Sequence, residues 1–150
     1  MADIIPREKR SEMMASIKAK DTKPEVFFRK GLFQKGYRYA LHSTKIDGHP
    51  DLFLRKYNTA IFVNGCFWHR HSGCKYSYMP KSNIDFWEKK FRANVNRDAV
   101  VREQLHIKGI KCLVIWECRI KQMMKSSQYE QNVYDEVTRF LNSTNEYLEI

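Results

Sequence analysis

Between positions 64 and 74 the chain reads NGCFWHRHSGC, so thiols, imidazoles and bulky rings share one short loop. Cys66, His71 and Cys74 have the spacing C-x4-H-x2-C, which lets a loop wrap soft ligands around one tetrahedral ion. A fourth ligand has to come from elsewhere. Cys118 suits it, because it closes an apolar run where the chain can turn its thiolate outward; Cys112, inside that run, reads as a small buried side chain. A closed site of three cysteines and one histidine is structural zinc. Disulfides are the competing use of four thiols, but the opening MADIIPREKR has no apolar secretory segment, and thiols in a reducing compartment favour metal. His69 is left over. Either it replaces His71 on the metal, or its imidazole stays free to take a proton near neutral pH.

Two carboxylates stand where metal or histidine chemistry could use them. Asp51 follows Pro50 at the mouth of the apolar run DLFL, where Mg²⁺, a hard ion, could take its oxygen together with substrate phosphate. A turn aspartate is the plainer use of the same dipeptide. Asp98 falls on a helical stripe with Ile84, Trp87, Phe91, Val95 and Leu105, so an apolar face includes an acid that needs a partner. Arg102 at i+4 offers a salt bridge, and an imidazole such as His69 offers the other answer. Glu25 has a structural explanation as the last residue of TKPE, an S/T-x-x-E capping box.

The elements that must position these groups follow from periodicity and punctuation. Residues 7 to 20 read as a short basic helix with a small apolar face of Met13, Met14 and Ile17. The TKPE box opens a second helix, with Pro24 tolerated in its first turn, that runs to Lys35 before Gly36 stops it. Residues 37–41, 51–54 and 59–65 read as strands with short links, hence antiparallel neighbours. Ser82, with Asp85 three residues on, caps a long helix to about Lys108, and Gly109 ends it. Residues 110–117 then form a continuous apolar strand, the arrangement of a helix crossing over to place a strand inside a sheet. Ser126 or Ser127 starts a closing amphipathic helix to about Leu141. The expected fold is α/β: a mixed central sheet flanked by helices, in one domain of 150 residues.

Charge is unevenly spread. Residues 126–150 hold one base, Arg139, against five acids, so this acidic helix and tail are net −4 and leave +14 on the first 125 residues. A positive field concentrated on the unusual motifs, with Phe67, Trp68, Tyr76, Tyr78, Phe86 and Trp87 interleaved among the bases, points to a polyanion whose bases can stack on rings. A merely soluble basic surface is the plainer alternative. No stretch is long and apolar enough to span a membrane, and the chain reads as cytoplasmic.

Four segments in order, GHPDLFL, AIFVNGCFWHRHSGC, FWEKKFRANVNRDAVV and LVIWEC, preceded by a basic amphiphilic helix, resemble the very-short-patch repair (Vsr) DNA mismatch endonucleases. The likeness runs from about residue 6 to residue 120 and is specific, because GCFWH, PD and WEC occur together. It implies a core like that of type II restriction endonucleases, with a structural zinc. It also implies Mg²⁺-dependent nicking of one strand on the 5′ side of the thymine in a T:G mismatch left by deamination of 5-methylcytosine. On that likeness Asp51 is the principal Mg²⁺ ligand and the backbone carbonyl of Val63 a second. His69 is the general base, Asp98 orients it, and Glu25 joins the metal and water network. Cys66, His71, Cys74 and Cys118 hold Zn²⁺. Phe67, Trp68 and Trp87 enter the duplex from the major groove, while Met14 and Ile17 approach from the minor groove. The implied partners are double-stranded DNA with a T:G mismatch, mismatch-repair proteins and a cognate cytosine methyltransferase, for a monomer that associates with the nucleoid during repair.

Elementary energetics agree with a wedge. Unstacking costs a few kcal/mol per step and least at a mismatch, so insertion both opens the duplex and selects the lesion. Core packing is the competing use of the same rings. The chain departs from the family at Asn64, where members often carry a histidine that assists at the scissile phosphate; Asn donates a hydrogen bond but delivers no proton. Three readings therefore stand: a T:G-nicking endonuclease, a zinc-stabilised module that binds distorted DNA with weak or no cleavage, and a related nuclease with another target.

Overall fold

The structure is a computed structural model that describes residues 20–150. The expected helix over 7–20, with Met14 and Ile17, lies outside the described residues. Helix α1 spans Lys23–Gln34 with Thr22 as its N-cap, as the capping box predicts. The box closes one residue early. Thr22 accepts from the Glu25 N–H at 3.3 Å, while the Glu25 carboxylate reaches back to the Asp21 N–H at 2.8 Å. Strands β1 (Ala40–Leu41), β2 (Leu52–Leu54) and β3 (Thr59–Asn64) follow, paired antiparallel in sequence. The first is shorter than residues 37–41 suggested. Tyr37 and Tyr39 turn their hydroxyls onto helices instead, to Thr138 at 3.0 Å and to the Arg29 carbonyl at 2.9 Å.

Helix α2 (Ile84–Ile107) crosses over from β3 to β4 (Lys111–Trp116), and the two strands pair in parallel from Thr59↔Lys111 to Asn64↔Trp116. The helix begins one residue later than a Ser82 cap predicts: Asn83 is the N-cap, in the left-handed region at φ 54°. Two elements escaped the sequence reading. Helix α3 (Glu117–Lys125) leaves β4 directly, anchored by Ile120 and Met123, and β5 (Tyr147–Glu149) pairs parallel to β4. The acidic tail thus supplies a sheet strand. Between them α4 (Ser127–Leu141) is capped by Ser126, which accepts from Tyr129 N–H.

The sheet runs β1-β2-β3-β4-β5, and its alternation sorts side chains into two layers. Leu52, Leu54, Ile61, Leu113 and Ile115 pack with Phe28, Leu32, Ile120, Met123, Tyr134 and Val137 of α1, α3 and α4. Ala60 and Cys112 face the other way, toward Leu105 and Val101 of α2. This is the mixed, helix-flanked α/β architecture expected, consistent with a restriction-endonuclease-like core. Among the described residues no helix is long and apolar enough to cross a membrane.

Helices α1 and α4 meet where Gly31 faces the Tyr134 side chain. Tyr134 stacks on Phe28 at 5.7 Å and donates its hydroxyl to the Phe28 carbonyl at 3.2 Å. A Cβ on Gly31 would collide with the Tyr134 hydroxyl and ring. Gly31→Ala is therefore expected to lower stability by about 1–3 kcal/mol through overpacking, read as a fall in thermal midpoint. Tyr134→Phe in the same background should recover part of the loss.

Candidate active site and metal centre

Parallel pairing of β3 and β4 brings two distant segments to one level. Asn64 sits opposite Trp116, so Cys66 and Cys118 each emerge two residues beyond that pair. The loop after β3 then folds back on itself: His69 N–H donates to Gly65 O at 3.1 Å, His71 N–H to Cys66 O at 3.0 Å, and Cys74 N–H to His71 O at 3.3 Å. The result is a cluster of Cys66, His71, Cys74 and Cys118 whose ligand atoms all lie within 4.8 Å of one another. All four cysteines are free thiols, and Cys112 stays buried in β4, apart from the cluster.

The donor set fits a tetrahedral ion. Zinc bonds of about 2.3 Å to sulfur and 2.0–2.1 Å to nitrogen imply S···N edges of roughly 3.5 Å; Cys118 Sγ lies 3.4 Å from His71 Nδ1. Burial, then the neighbouring Cys118 and Cys74, pushes the Cys66 thiol up to about 12, so its thiolate needs a cation beside it. Burial lowers the pKa of His71, which keeps the imidazole neutral and its lone pair available. Trp116 stacks flat on this ring at 4.3 Å and 6°. The cluster can hold a metal such as zinc, and His71, not His69, is the imidazole in it.

His69 points elsewhere. Its Nδ1 lies 2.7 Å from Asp98 Oδ2 on α2. Beside an ionised carboxylate Nδ1 carries the proton, which leaves Nε2 as the acceptor. Of the two partners considered for Asp98, this is the one present; Arg102 instead stacks on the Tyr147 ring at 3.4 Å. The expected stripe on α2 needs correction. Ile84 and Val95 are exposed, Asp98 is 39% exposed, and the buried residues are Phe91, Asn94 and Leu105. The inward face is 87, 91, 94, 98, 101 and 105, and the apolar Val95 masks the polar Asn94 that occupies the true position. Asn94 Nδ2 donates to Trp68 O at 3.0 Å.

The rings form one body. Phe67 lies 5.1–5.4 Å from Trp68, Tyr78, Trp87 and Phe91, and Trp68 lies 5.8 Å from Trp87. Phe91 is the buried base, whereas Phe67, Trp68 and Trp87 are only partly covered. Phe67, Trp68 and Trp87 thus pack on one another and on Phe91 while each keeps part of its surface exposed. A cleft of about 680 Å³ runs past Val63, Trp68 and His69 and is edged by Lys90, Arg97 and Lys121.

At the start of β2, Asp51 accepts from the Val63 N–H at 2.7 Å, which ties it to the end of β3. Burial first, then the hydrogen bond and charge of Glu25, pushes its carboxyl up to about 8. Glu25, only 2% exposed, also meets Arg29 at 3.0 Å and His42 at 3.6 Å. Asp21, joined to Arg29 at 2.7 Å and His42 at 3.2 Å, has its carboxyl pulled down to about 2 by the Arg29 hydrogen bond, then that of His42. His42 Nδ1 stands 4.0 Å from Asp51 Oδ1. Glu25 is thus more than a cap. Sequence reading missed Asp21, Arg29, His42 and Asn94; the Glu25–Arg29 spacing of i,i+4 was the only legible sign of this network. Asn64 is buried at the end of β3.

The carboxylates beside β2 and the His69–Asp98 pair between the loop after β3 and α2 flank a basic cleft in a mixed α/β sheet. A family model described as DNA mismatch endonuclease Vsr matches residues 2–75. The type II nicking enzyme V.NmeAIP of Neisseria meningitidis serogroup A is 46% identical over 121 residues, covering 81% of this chain and 86% of that one. The type II nicking enzyme V.XorIIP of Xanthomonas oryzae is 34% identical over 135 residues, or 90% and 98% of the two chains. The Escherichia coli DNA mismatch endonuclease Vsr is 32% identical over 121 residues, or 81% and 77%. The chain belongs to the Vsr family of DNA mismatch endonucleases.

Two outcomes follow from this geometry. Cys118→Ser should lose the metal bound by the reduced protein while Cys112→Ser keeps it, as read by metal analysis. The Asp51 carboxyl at about 8 stands above its ordinary 3.8. Its stabilising contribution is complete below about pH 4 and disappears as pH rises toward 8. Without added divalent cations, wild type should therefore lose more thermal stability than Asp51→Asn between pH 5 and 8.

Proposed function

We propose that this chain is a magnesium-dependent endonuclease that nicks one DNA strand on the 5′ side of the thymine in a T:G mismatch and so initiates very-short-patch repair. The observation that carries the reading is the division of labour within one loop: His71 faces the thiols, while His69 turns its Nδ1 to Asp98 at 2.7 Å. Under this proposal Cys66, His71, Cys74 and Cys118 hold a structural zinc with no open position.

Asp51, the Val63 carbonyl and the Glu25 network are the proposed magnesium site. The fit rests on the donor set: the Asp51 carboxyl, pushed up to about 8 by burial and by Glu25 beside it, would release its proton when a hard cation supplies the missing charge. Bound there, magnesium would neutralise scissile-phosphate charge and position water. His69 Nε2 would accept a proton from the attacking water as the scissile P–O bond breaks and its leaving oxygen takes a proton from solvent, while Asp98 would hold the ring and stabilise the imidazolium. Asn64 offers a hydrogen bond to the phosphate region without proton transfer. Phe67, Trp68 and Trp87 wedge the mismatch from the major groove, and the segment over 7–20, with Met14 and Ile17, approaches from the minor groove. DNA neutralises the +14 of the first 125 residues. A cytosine methyltransferase and mismatch-repair proteins are the proposed functional partners of this monomer in the cytoplasm.

Purified protein should nick a T:G duplex only with added Mg²⁺ and leave the matched duplex largely intact. His69→Ala should slow cleavage about 10²–10⁴-fold, the usual worth of a general base, and Asp51→Ala should abolish it. Equal cleavage of both duplexes would replace the mismatch reading with that of a nuclease having another target. Binding without any cleavage would leave only a module for distorted DNA.

A further inference from the structure

Arg70 sits between His69 and His71 in the ligand loop, in the left-handed region at φ 57°, and its guanidinium turns back into the fold. One nitrogen donates to Phe67 O at 3.2 Å and Tyr78 O at 3.1 Å, and another to Ser77 O at 2.9 Å. The same plane lies 3.9 Å from the Phe91 ring centre and 5.8 Å from that of Phe67. In a protein that binds DNA, an arginine in a loop is ordinarily read as a phosphate contact. Here three main-chain carbonyls, from both sides of Cys74, occupy the fork, and the rings take its face. Lysine, a point charge without a plane, reproduces neither arrangement.

We propose that Arg70 is a positioning residue that sets mismatch selectivity, by holding Phe67 and Trp68 against α2 before DNA arrives. The inference rests on the reading that these rings enter the duplex. A wedge already ordered loses little further loop and side-chain freedom on insertion, whereas a loose one loses it at the moment of binding. That loss falls on the mismatched duplex, where the rings insert, and not on loosely held matched DNA, where the contact is with phosphates.

The test compares Arg70→Lys and Arg70→Met with wild type, using zinc-loaded protein, and Trp68→Ala as a separate arm. Kd is measured for T:G and matched duplexes of the same sequence, together with single-turnover nicking and acrylamide quenching of tryptophan in the free proteins. Both Arg70 variants should keep their zinc, weaken T:G binding about tenfold or more, and raise tryptophan quenching. Matched-duplex affinity should change less than about twofold in Arg70→Lys. Ten-fold corresponds to one lost charge-assisted contact. If Arg70→Met does not fold, Arg70→Lys carries the test alone. Wild-type T:G affinity in Arg70→Lys would overturn the proposal and assign Arg70 a simple charge contact. Equal weakening on both duplexes would also overturn it, in favour of general destabilisation. A Trp68→Ala protein that binds and nicks T:G normally would instead overturn the wedge reading on which the proposal stands.

Discussion

The register of β3 against β4 is the constraint on which the site depends. Asn64 opposite Trp116 fixes where Cys66 and Cys118 leave the sheet, and only that level lets one short loop complete the cluster with His71 and Cys74. A slip of one residue would turn every side chain of a strand to the opposite face. It is resisted by both cores at once, since Ile61 and Ile115 belong to one layer and Ala60 and Cys112 to the other. The parallel pairing itself requires a crossover, and α2, which makes it, is the element that carries Asp98, Asn94 and Trp87. Topology thus brings the loop after β3 and these α2 side chains to the same end of the sheet, outside the carboxyl ends of its parallel strands.

Magnitudes explain how so irregular a loop stays in place. Structural zinc in small peptides is worth on the order of 10 kcal/mol, comparable with the entire net stability of a typical domain, about 5–15 kcal/mol. A metal on the Cys3His cluster would dominate the local energetics of residues 66–74, where no helix or strand supplies backbone hydrogen bonds. Ring stacking and the bonds from Arg70 and Asn94 are individually small, of order 1 kcal/mol, but they act on side-chain direction within a loop already closed. The two scales serve different ends: ligation fixes the loop, and the weaker contacts aim it.

Much of this was legible in the residues. The capping box, the long crossover helix, the apolar strand after it and the C-x4-H-x2-C spacing each rest on local rules, and each element appears near its expected position. What escaped depended on tertiary context. The α3 segment has only two buried anchors, too few to declare a period, and β5 is a short edge strand whose pairing with β4 no local pattern announces. On α2 a polar residue, Asn94, takes an inward position because it has a carbonyl to bind there, so a reading by hydrophobicity moved to Val95. Asp21 and Arg29 meet Glu25 locally, four residues to either side, but His42 and Asp51 join them only after β1 and β2 fold beside α1, which is why a carboxylate explained by its helix cap proved to belong to a network.

The central claim is that a metal on Cys66, His71, Cys74 and Cys118 holds both the wedge and His69. The most direct measurement strips that metal from reduced protein and follows a 2-aminopurine placed beside a T:G mismatch, together with nicking in Mg²⁺, before and after zinc is restored. The account predicts that metal-free protein still associates with DNA through its basic surface but neither raises the 2-aminopurine fluorescence nor nicks, and that zinc returns both together. Metal-free, folded protein that unstacks the mismatch and nicks it at the rate of the zinc-loaded form would contradict the account.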